Sequence, residues 1–215
     1  MKKNNISRNV IRRLPRYLRK LDELSAAGVE RISSSALGAQ IGFTPSQIRQ
    51  DFSCFGEFGQ QGYGYNVASL REAIAHILGV DRERSVILVG TGRIGQSLIE
   101  NICFSRLGFR LLGAFDIRGE LIGTRIGSIS VQDAAHVEDF IRENGVDIAI
   151  LSTNRGHAQS ITDSLIEAGI RAIWNFTEAE LRPVSGDVVV ESIHFSDSLL
   201  ELNYYLNQKC GETEG

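Results

Sequence analysis

Hydrophobic positions change their period twice along the chain. From residue 9 to residue 80 they recur every three to four places, as on one face of a helix. Val10, Leu14, Tyr17, Leu18, Leu21 and Leu24 share a face in residues 9–27, with Gly28 as a stop and Pro15 as an interruption that predicts a kink or a restart. Ser33, Ser34 and Ser35 can cap a short helix through Ile41, closed by Gly42. Thr44 and Pro45 supply the N-cap and first position of a third helix, which buries Ile48, Phe52 and Phe55 and leaves Ser46, Gln47, Arg49 and Gln50 outside. Aromatics alternating with glycines from Gly56 to Tyr65, around a polar Gln60-Gln61 tip, read as a β-hairpin. A fourth helix, 67–78, packs Leu70, Ile74, Ile77 and Leu78 and stops at Gly79.

The pattern then switches to short unbroken apolar runs separated by helical stretches. Strands are expected at 86–89, 110–115, 147–152, 170–174 and 188–191, with a weaker one at 129–131. Helices are expected after the first strand (Leu98, Ile99, Ile102), at 134–144 and at 157–168. This rhythm predicts a small parallel sheet covered on both sides. In a last helix Leu199, Leu200, Leu202, Tyr204, Tyr205 and Leu206 are apolar nearly all round, which calls for burial against a second subunit. The expected layout is a DNA-binding domain at 1–80, a dinucleotide-binding domain at 85–195, an interface helix at 196–208 and a disordered tail at 209–215. The fold class is α/β: a winged helix-turn-helix, then a Rossmann domain.

Composition alters this picture little. The 215 residues are 42% hydrophobic and 23% charged, ordinary for a soluble globular protein. No apolar run approaches the ~20 residues of a membrane helix, and the charged N-terminus has no apolar segment of a signal peptide behind it. Cys54, Cys103 and Cys210 are scattered and odd in number, which fits a reducing cytoplasm and no metal site. Charge is more telling: residues 1–80 hold 11 Lys and Arg against 6 Asp and Glu, the remainder 12 against 20. A basic first third on an acidic body suggests that one end meets a polyanion.

Two constellations carry chemistry. In the first region, arginine and glutamine on a third helix can bond bidentately to guanine and adenine across the major groove. The hairpin would add a wing, and Arg12, Arg13, Arg16, Arg19 and Lys20 form either a solvated or a phosphate-facing surface. In the second, the strand 86–89 ends in Gly90-Thr91-Gly92-Arg93-Ile94-Gly95, a G-x-G-x-x-G turn opening a helix. Its glycines suit a tight turn, a close approach of backbone to pyrophosphate, and close packing of helix on strand. Asp116, at the end of the next strand, is placed to take the ribose hydroxyls of an adenosine and repel a 2′-phosphate, favouring NAD(H) over NADP(H). The alternative, an NAD-dependent oxidoreductase, would need a general acid or base. His157 and His194 are weak candidates, His76 and His136 sit in helical patterns, and too little chain remains for a substrate domain.

Taken together, the motifs closely resemble the Rex family of redox-sensing transcriptional repressors of bacteria. The resemblance rests on RRLPRYLRKLDEL (12–24), GVERISSSALGAQIG (28–42), SQIRQDFSCFGEFGQQGYGYNV (46–67), VGTGRIG (89–95), AFDIRG (114–119), DIAILST (147–153) and NF (175–176). It implies a homodimer that exchanges a terminal helix, binds a palindromic operator and is released by NADH. By the same resemblance, Ser46, Gln47, Arg49 and Gln50 would read bases, helped by Gln60, Gln61 and Tyr63, with Arg12, Arg13 and Arg16 on phosphates or the partner. Residues 90–95 and Asp116 would hold the cofactor, with Thr153, Asn175 and Phe176 near the nicotinamide. Two positions depart from the family: Asn101 stands where a tyrosine is common, and His194 where an aspartate is usual. Both belong to the family's switching contacts, so a weakened redox switch is expected.

Overall fold

The computed structural model describes residues 6–56, 58–60 and 63–211, with backbone alone at 59, 60 and 209–211. The chain divides into two compact units between Arg82 and Glu83.

The first unit comprises α1 (Arg8–Ala26), β1 (Arg31–Ile32), α2 (Ser34–Ile41), α3 (Pro45–Ser53), β2 (Gly59–Gln60), β3 (Gly64–Asn66) and α4 (Val67–Leu78). Helix α1 runs unbroken through Pro15 and does not restart there. Pro15 lies on the exposed side, where the carbonyl it leaves unpaired can be hydrated. Leu14, Tyr17, Leu21, Leu37, Ile48, Phe52, Leu70 and Ile74 form the core, drawn from all four helices. Phe55 packs against it only partly buried. The hairpin β2–β3 is antiparallel, and β1 extends it to three strands in the order β1-β3-β2.

The second unit comprises β4 (Arg84–Val89), α5 (Arg93–Asn101), β5 (Phe109–Asp116), β6 (Arg125–Ile126), β7 (Ile129–Asp133), α6 (Val137–Asn144), β8 (Ile148–Leu151), α7 (Ala158–Ala168), β9 (Ala172–Asn175), β10 (Val189–Ser192) and α8 (Phe195–Gly211). The sheet order is β10-β9-β8-β4-β5-β7-β6, parallel except where β6 returns along β7. Because β4 is flanked by β5 on one side and β8 on the other, the strand order reverses there, leaving a crevice at the strand ends. Alternation along β4 feeds two cores. Ile87 and Val89 pack with Val137, Ile141 and Leu165 on one face; Val86 and Leu88 pack with Leu98, Ile99 and Phe176 on the other.

Several bounds differ from the sequence pattern. The helices expected at 134 and 157 each open with a 3₁₀ turn, at Ala134–His136 and Arg155–His157, before the α-helix begins. The two-residue β6 carries too little pattern to be seen in sequence. Helix α8 starts at Phe195 and continues through Gly211, so the tail expected from 209 is helical there; residues 212–215 lie outside those described. Its large apolar side chains, from Phe195 to Leu206, are all more than half exposed.

Candidate functional site

In the first unit, local capping builds the reading element. Ser33 Oγ accepts the Ala36 N–H and starts α2, and Gly42, at φ 74°, ends it in the left-handed region. Two residues later Thr44 Oγ1 accepts the Gln47 N–H, with Pro45 fixing the first turn of α3. Gly38 is where α2 meets the turn: a Cβ there would collide with the Phe43 carbonyl. Helix α3 turns Ser46, Arg49 and Gln50 to solvent and half-buries Gln47. Arg49 donates from Nη1 to Ser34 Oγ (3.0 Å) and from Nη2 to Ser46 Oγ (3.3 Å), which holds its guanidinium over the α2–α3 surface. On the hairpin Tyr63 is 71% exposed, with its carbonyl accepting from Arg31 Nε. Gln60 lies on β2, its side chain beyond what is described, and Gln61 falls outside the described residues.

The inner side of α3 holds a group that helix periodicity did not single out. Asp51 is 1% exposed and accepts from Arg13 Nε and Nη2 (2.6 Å each) and from Tyr17 Oη (2.6 Å). Burial, followed by this bond to Asp51, raises the Tyr17 phenol above its ordinary value. Arg13, expected to meet phosphate or the partner subunit, is turned toward Asp51 as a brace between α1 and α3. Arg16 is exposed but anchored: Nη2 donates to the Ile41 carbonyl (2.9 Å), and its guanidinium lies 4.4 Å from the centre of the Phe43 ring. Arg12 is exposed on the same helix.

In the second unit the glycine turn sits at the reversal of strand order. Gly90 adopts φ 96°, and a Cβ there would come 2.7 Å from the Ser152 carbonyl of the neighbouring strand end. Gly95 is buried, and a Cβ would strike the Gly90 carbonyl, so α5 can cross its strand closely only without a side chain. Gly92 caps α5 with no side-chain acceptor and has open space where a Cβ would project. Gly90 and Gly95 thus serve the tight turn and the close packing of helix on strand, and the space beside Gly92 is open. Arg93 and Ile94 are exposed in the first turn of α5, the positive end of the helix.

Thr91 is fully buried and joins this turn to Asp116: its N–H (2.7 Å) and Oγ1 (2.8 Å) both donate to Asp116 Oδ2. Arg118 reaches back to the same carboxylate from two residues on, through N (3.0 Å) and Nε (2.9 Å) to Oδ1 and through Nη2 (2.9 Å) to Oδ2. The Arg118 bonds, then those from Thr91, hold the Asp116 carboxyl far below the usual carboxylate range. A cavity of about 890 Å³ opens here, bounded by Gly90, Gly92, Asp116, Arg118, Thr153 and His157 among others. Thr153 Oγ1 is buried with no protein partner, a hydroxyl available to a ligand in that cavity.

Asn175 and Phe176 are both engaged by other protein groups. The Asn175 amide is spent within the protein: Nδ2 donates to the Ala179 carbonyl and to Ser192 Oγ on β10, and Oδ1 accepts from Thr177 N and Oγ1. Phe176 is buried against Trp174, with ring centres 4.7 Å apart. Asn101, the last residue of α5, donates back to the Ser97 carbonyl (2.9 Å) and is exposed. His194 Nε2 faces Glu180 Oε1 at 3.6 Å. Asp51, Arg118 and Glu180 are neighbours of the expected residues that the sequence did not single out, and Tyr17, expected only as a core residue, also serves as a donor to Asp51. Only Asp51 left a trace, as a carboxylate three residues after Ile48 and next to Phe52 on the buried stripe.

Among the described residues no helix is long and apolar enough to cross a membrane, and no three or more metal-ligating side chains cluster. The fold and site together define a two-unit regulator class, a helix-turn-helix with wing fused to a dinucleotide-type α/β unit. Residues 5–53 match the family model described as "Putative DNA-binding protein N-terminus", and 81–179 that of a "CoA binding domain". The redox-sensing transcriptional repressor Rex of Caldicellulosiruptor bescii is 49% identical over 99% of this chain and 98% of its own. Rex of Clostridium perfringens is 47% identical over 96% and 97%. A crystal structure of RSP with β-NAD+ and operator DNA superposes with TM-score 0.89 at 46% identity, covering 99% of this chain and 97% of that one. RSP with β-NADH gives TM-score 0.89 at 43% identity, covering 99% of each. The chain belongs to the Rex family of redox-sensing transcriptional repressors.

Proposed function

We propose that this chain is a cytoplasmic repressor that binds a palindromic operator as a homodimer and reads the NADH/NAD+ ratio, without being an enzyme. The observation that carries the reading is the joining, in one chain, of a capped and solvent-facing α3 to a glycine turn at the strand reversal. Ser46, Gln47, Arg49 and Gln50 would meet base edges, and Gln60, Gln61 and Tyr63 of the wing the adjoining groove. Arg12 and Arg16 would meet phosphate. The turn 90–95 would seat the pyrophosphate against α5, and Thr153 would offer its unsatisfied hydroxyl to the dinucleotide. Bound there, NAD(H) supplies a redox-dependent nicotinamide charge; the protein's part is to bind one form better in the DNA-releasing state. RSP, known bound to NADH and to operator DNA with NAD+, supports both ligands. The apolar α8 supplies a surface for the second copy. His157 borders the cavity and, among the described residues, is paired with no second acid or base, an arrangement more suited to regulation than to hydride transfer to a substrate.

The same reading assigns this chain a weak switch. Asn101 spends its amide on its own helix, and His194 faces the carboxylate of Glu180. Neither presents the phenol or carboxylate that the family resemblance leads one to expect. The test is operator affinity by fluorescence anisotropy with and without saturating NADH, for the natural chain and for Asn101→Tyr with His194→Asp. The double variant should show the larger NADH-induced loss. Release of the natural protein by about a hundredfold or more, roughly 2.7 kcal/mol of coupling, would refute the weak switch. No operator binding at all would refute the whole reading.

A further inference from the structure

The carboxylate placed to read the adenosine ribose is already engaged. Asp116 takes five donors, three from Arg118 and two from Thr91. An ionised carboxylate offers about four lone-pair directions, so none is left for a ribose diol while Arg118 stays in place. Arg118 also cancels the charge on which exclusion of a 2′-phosphate depends. Its side chain is 46% exposed and borders the cavity, and Asp116 uses only two of the five guanidinium N–H groups.

The remaining acidic groups on the cavity wall are each held by a donor of their own. Asp133 Oδ1 accepts the Ala135 N–H, and Glu138 pairs with Arg142 at 3.1 Å. The field at the ribose end is therefore set by an Asp–Arg pair and not by a lone carboxylate. An arginine beside this position is the chemistry that accommodates a 2′-phosphate.

We propose that Arg118 is a specificity-determining residue that admits 2′-phosphorylated adenine dinucleotides, so that NADPH binds this site alongside NADH. The inference rests on the glycine turn being the NAD(H) site. Arg118 keeps its two-pronged contact with Asp116 when the ribose is unphosphorylated and turns its free edge to the phosphate when it is not.

Calorimetric titration of the full-length protein and of Arg118→Ala with NADH, NADPH and coenzyme A tests this. The natural chain should bind NADH and NADPH within about tenfold of each other. Arg118→Ala should weaken NADPH by roughly tenfold or more, the scale of one charge-assisted hydrogen bond, and leave NADH equal or tighter. Raising salt should weaken NADPH more than NADH. Coenzyme A, phosphorylated at the 3′ position, should bind more weakly than NADPH; tighter binding would overturn the 2′ assignment. A preference for NADH of about a hundredfold in the natural chain, or equal loss of both dinucleotides in Arg118→Ala, would overturn the proposal. If neither dinucleotide binds, the NAD(H) reading itself fails, an outcome distinct from a failed selectivity.

Discussion

Each unit contains a buried aspartate gripped two ways by an arginine and once or twice more by a hydroxyl-bearing residue. In the first unit Asp51 is 1% exposed and Arg13 shows 20% of its side chain; the pair spans 38 residues and ties α3 to α1. In the second, Asp116 is 5% exposed, but Arg118 shows 46% and stands two residues away on the same strand end. The chemistry is alike and the consequences differ. A guanidinium four-fifths covered, with a partner that is wholly covered, has little water to turn to when that partner is lost, so the pair acts as a lock. One at the rim of a cavity can trade its carboxylate for solvent or ligand at small cost, so it acts as a selector.

The largest expected effect tests the lock. Asp51→Ala should cost about 3–5 kcal/mol, because it strands a mostly covered guanidinium and the buried Tyr17 hydroxyl. Hydrogen exchange at α1 and α3 amides should register the loss, while fluorescence of Trp174, the chain's single tryptophan, leaves the second unit unchanged. A cost under about 1 kcal/mol would erase the distinction between the two clasps. Asp116→Asn should cost less, about 1–3 kcal/mol, since Arg118 can hydrate while the Thr91 bonds weaken. It should also change the acid limb. The Asp116 pKa is depressed in the folded state, so its contribution is present above the unfolded value of about 3.9 and drains away as pH falls toward the folded one. Trp174-monitored stability of the natural protein should drop below about pH 4, and the Asn variant should lack that part of the slope.

Lysine exchanges sharpen the contrast further, since an ammonium is unable to make the two-pronged contact. Arg13→Lys should lower stability by about 1–2 kcal/mol, and Arg118→Lys by no more than about 0.5 kcal/mol in thermal unfolding. The smallest effect sets the floor. Asp22→Ala removes the partner of Arg71, in an ion pair exposed on both sides, and should cost at most about 1 kcal/mol in the same measurement. A larger loss there would mean that exposure is a poor guide to what an ion pair contributes in this chain.

Much of the frame was legible because its causes are local. Caps at Ser33 and Thr44, the stop at Gly42, the alternation in 86–89 and the glycine spacing 90–95 each declare themselves within a few residues. Asp51 went unread: a carboxylate beside Phe52 passes for a surface group, and nothing in the sequence joined it to Arg13, 38 residues earlier. Arg13 itself was misread because helix phase alone gives an arginine stem no sign of which way its head will turn. Arg118 was hidden for the opposite reason. It lies so near Asp116 that the pair looks like a polar turn, and only side-chain geometry shows it folding back. Asn175 looked like a group offered to a ligand, yet three of its amide contacts close the turn after β9 and the fourth ties that turn to β10.

Helix α8 gives the chain a dependence on its own dosage. Seven large side chains, Phe195, Leu199, Leu200, Leu202, Tyr204, Tyr205 and Leu206, are between 53% and 67% exposed, so their apolar surface yields free energy only through association. If operator occupancy requires the paired species, occupancy, and with it repression, will rise with a power of the intracellular protein level higher than the first while most chains are single. A modest change in synthesis or dilution at cell division would then shift gene expression without any change in the nucleotide pool.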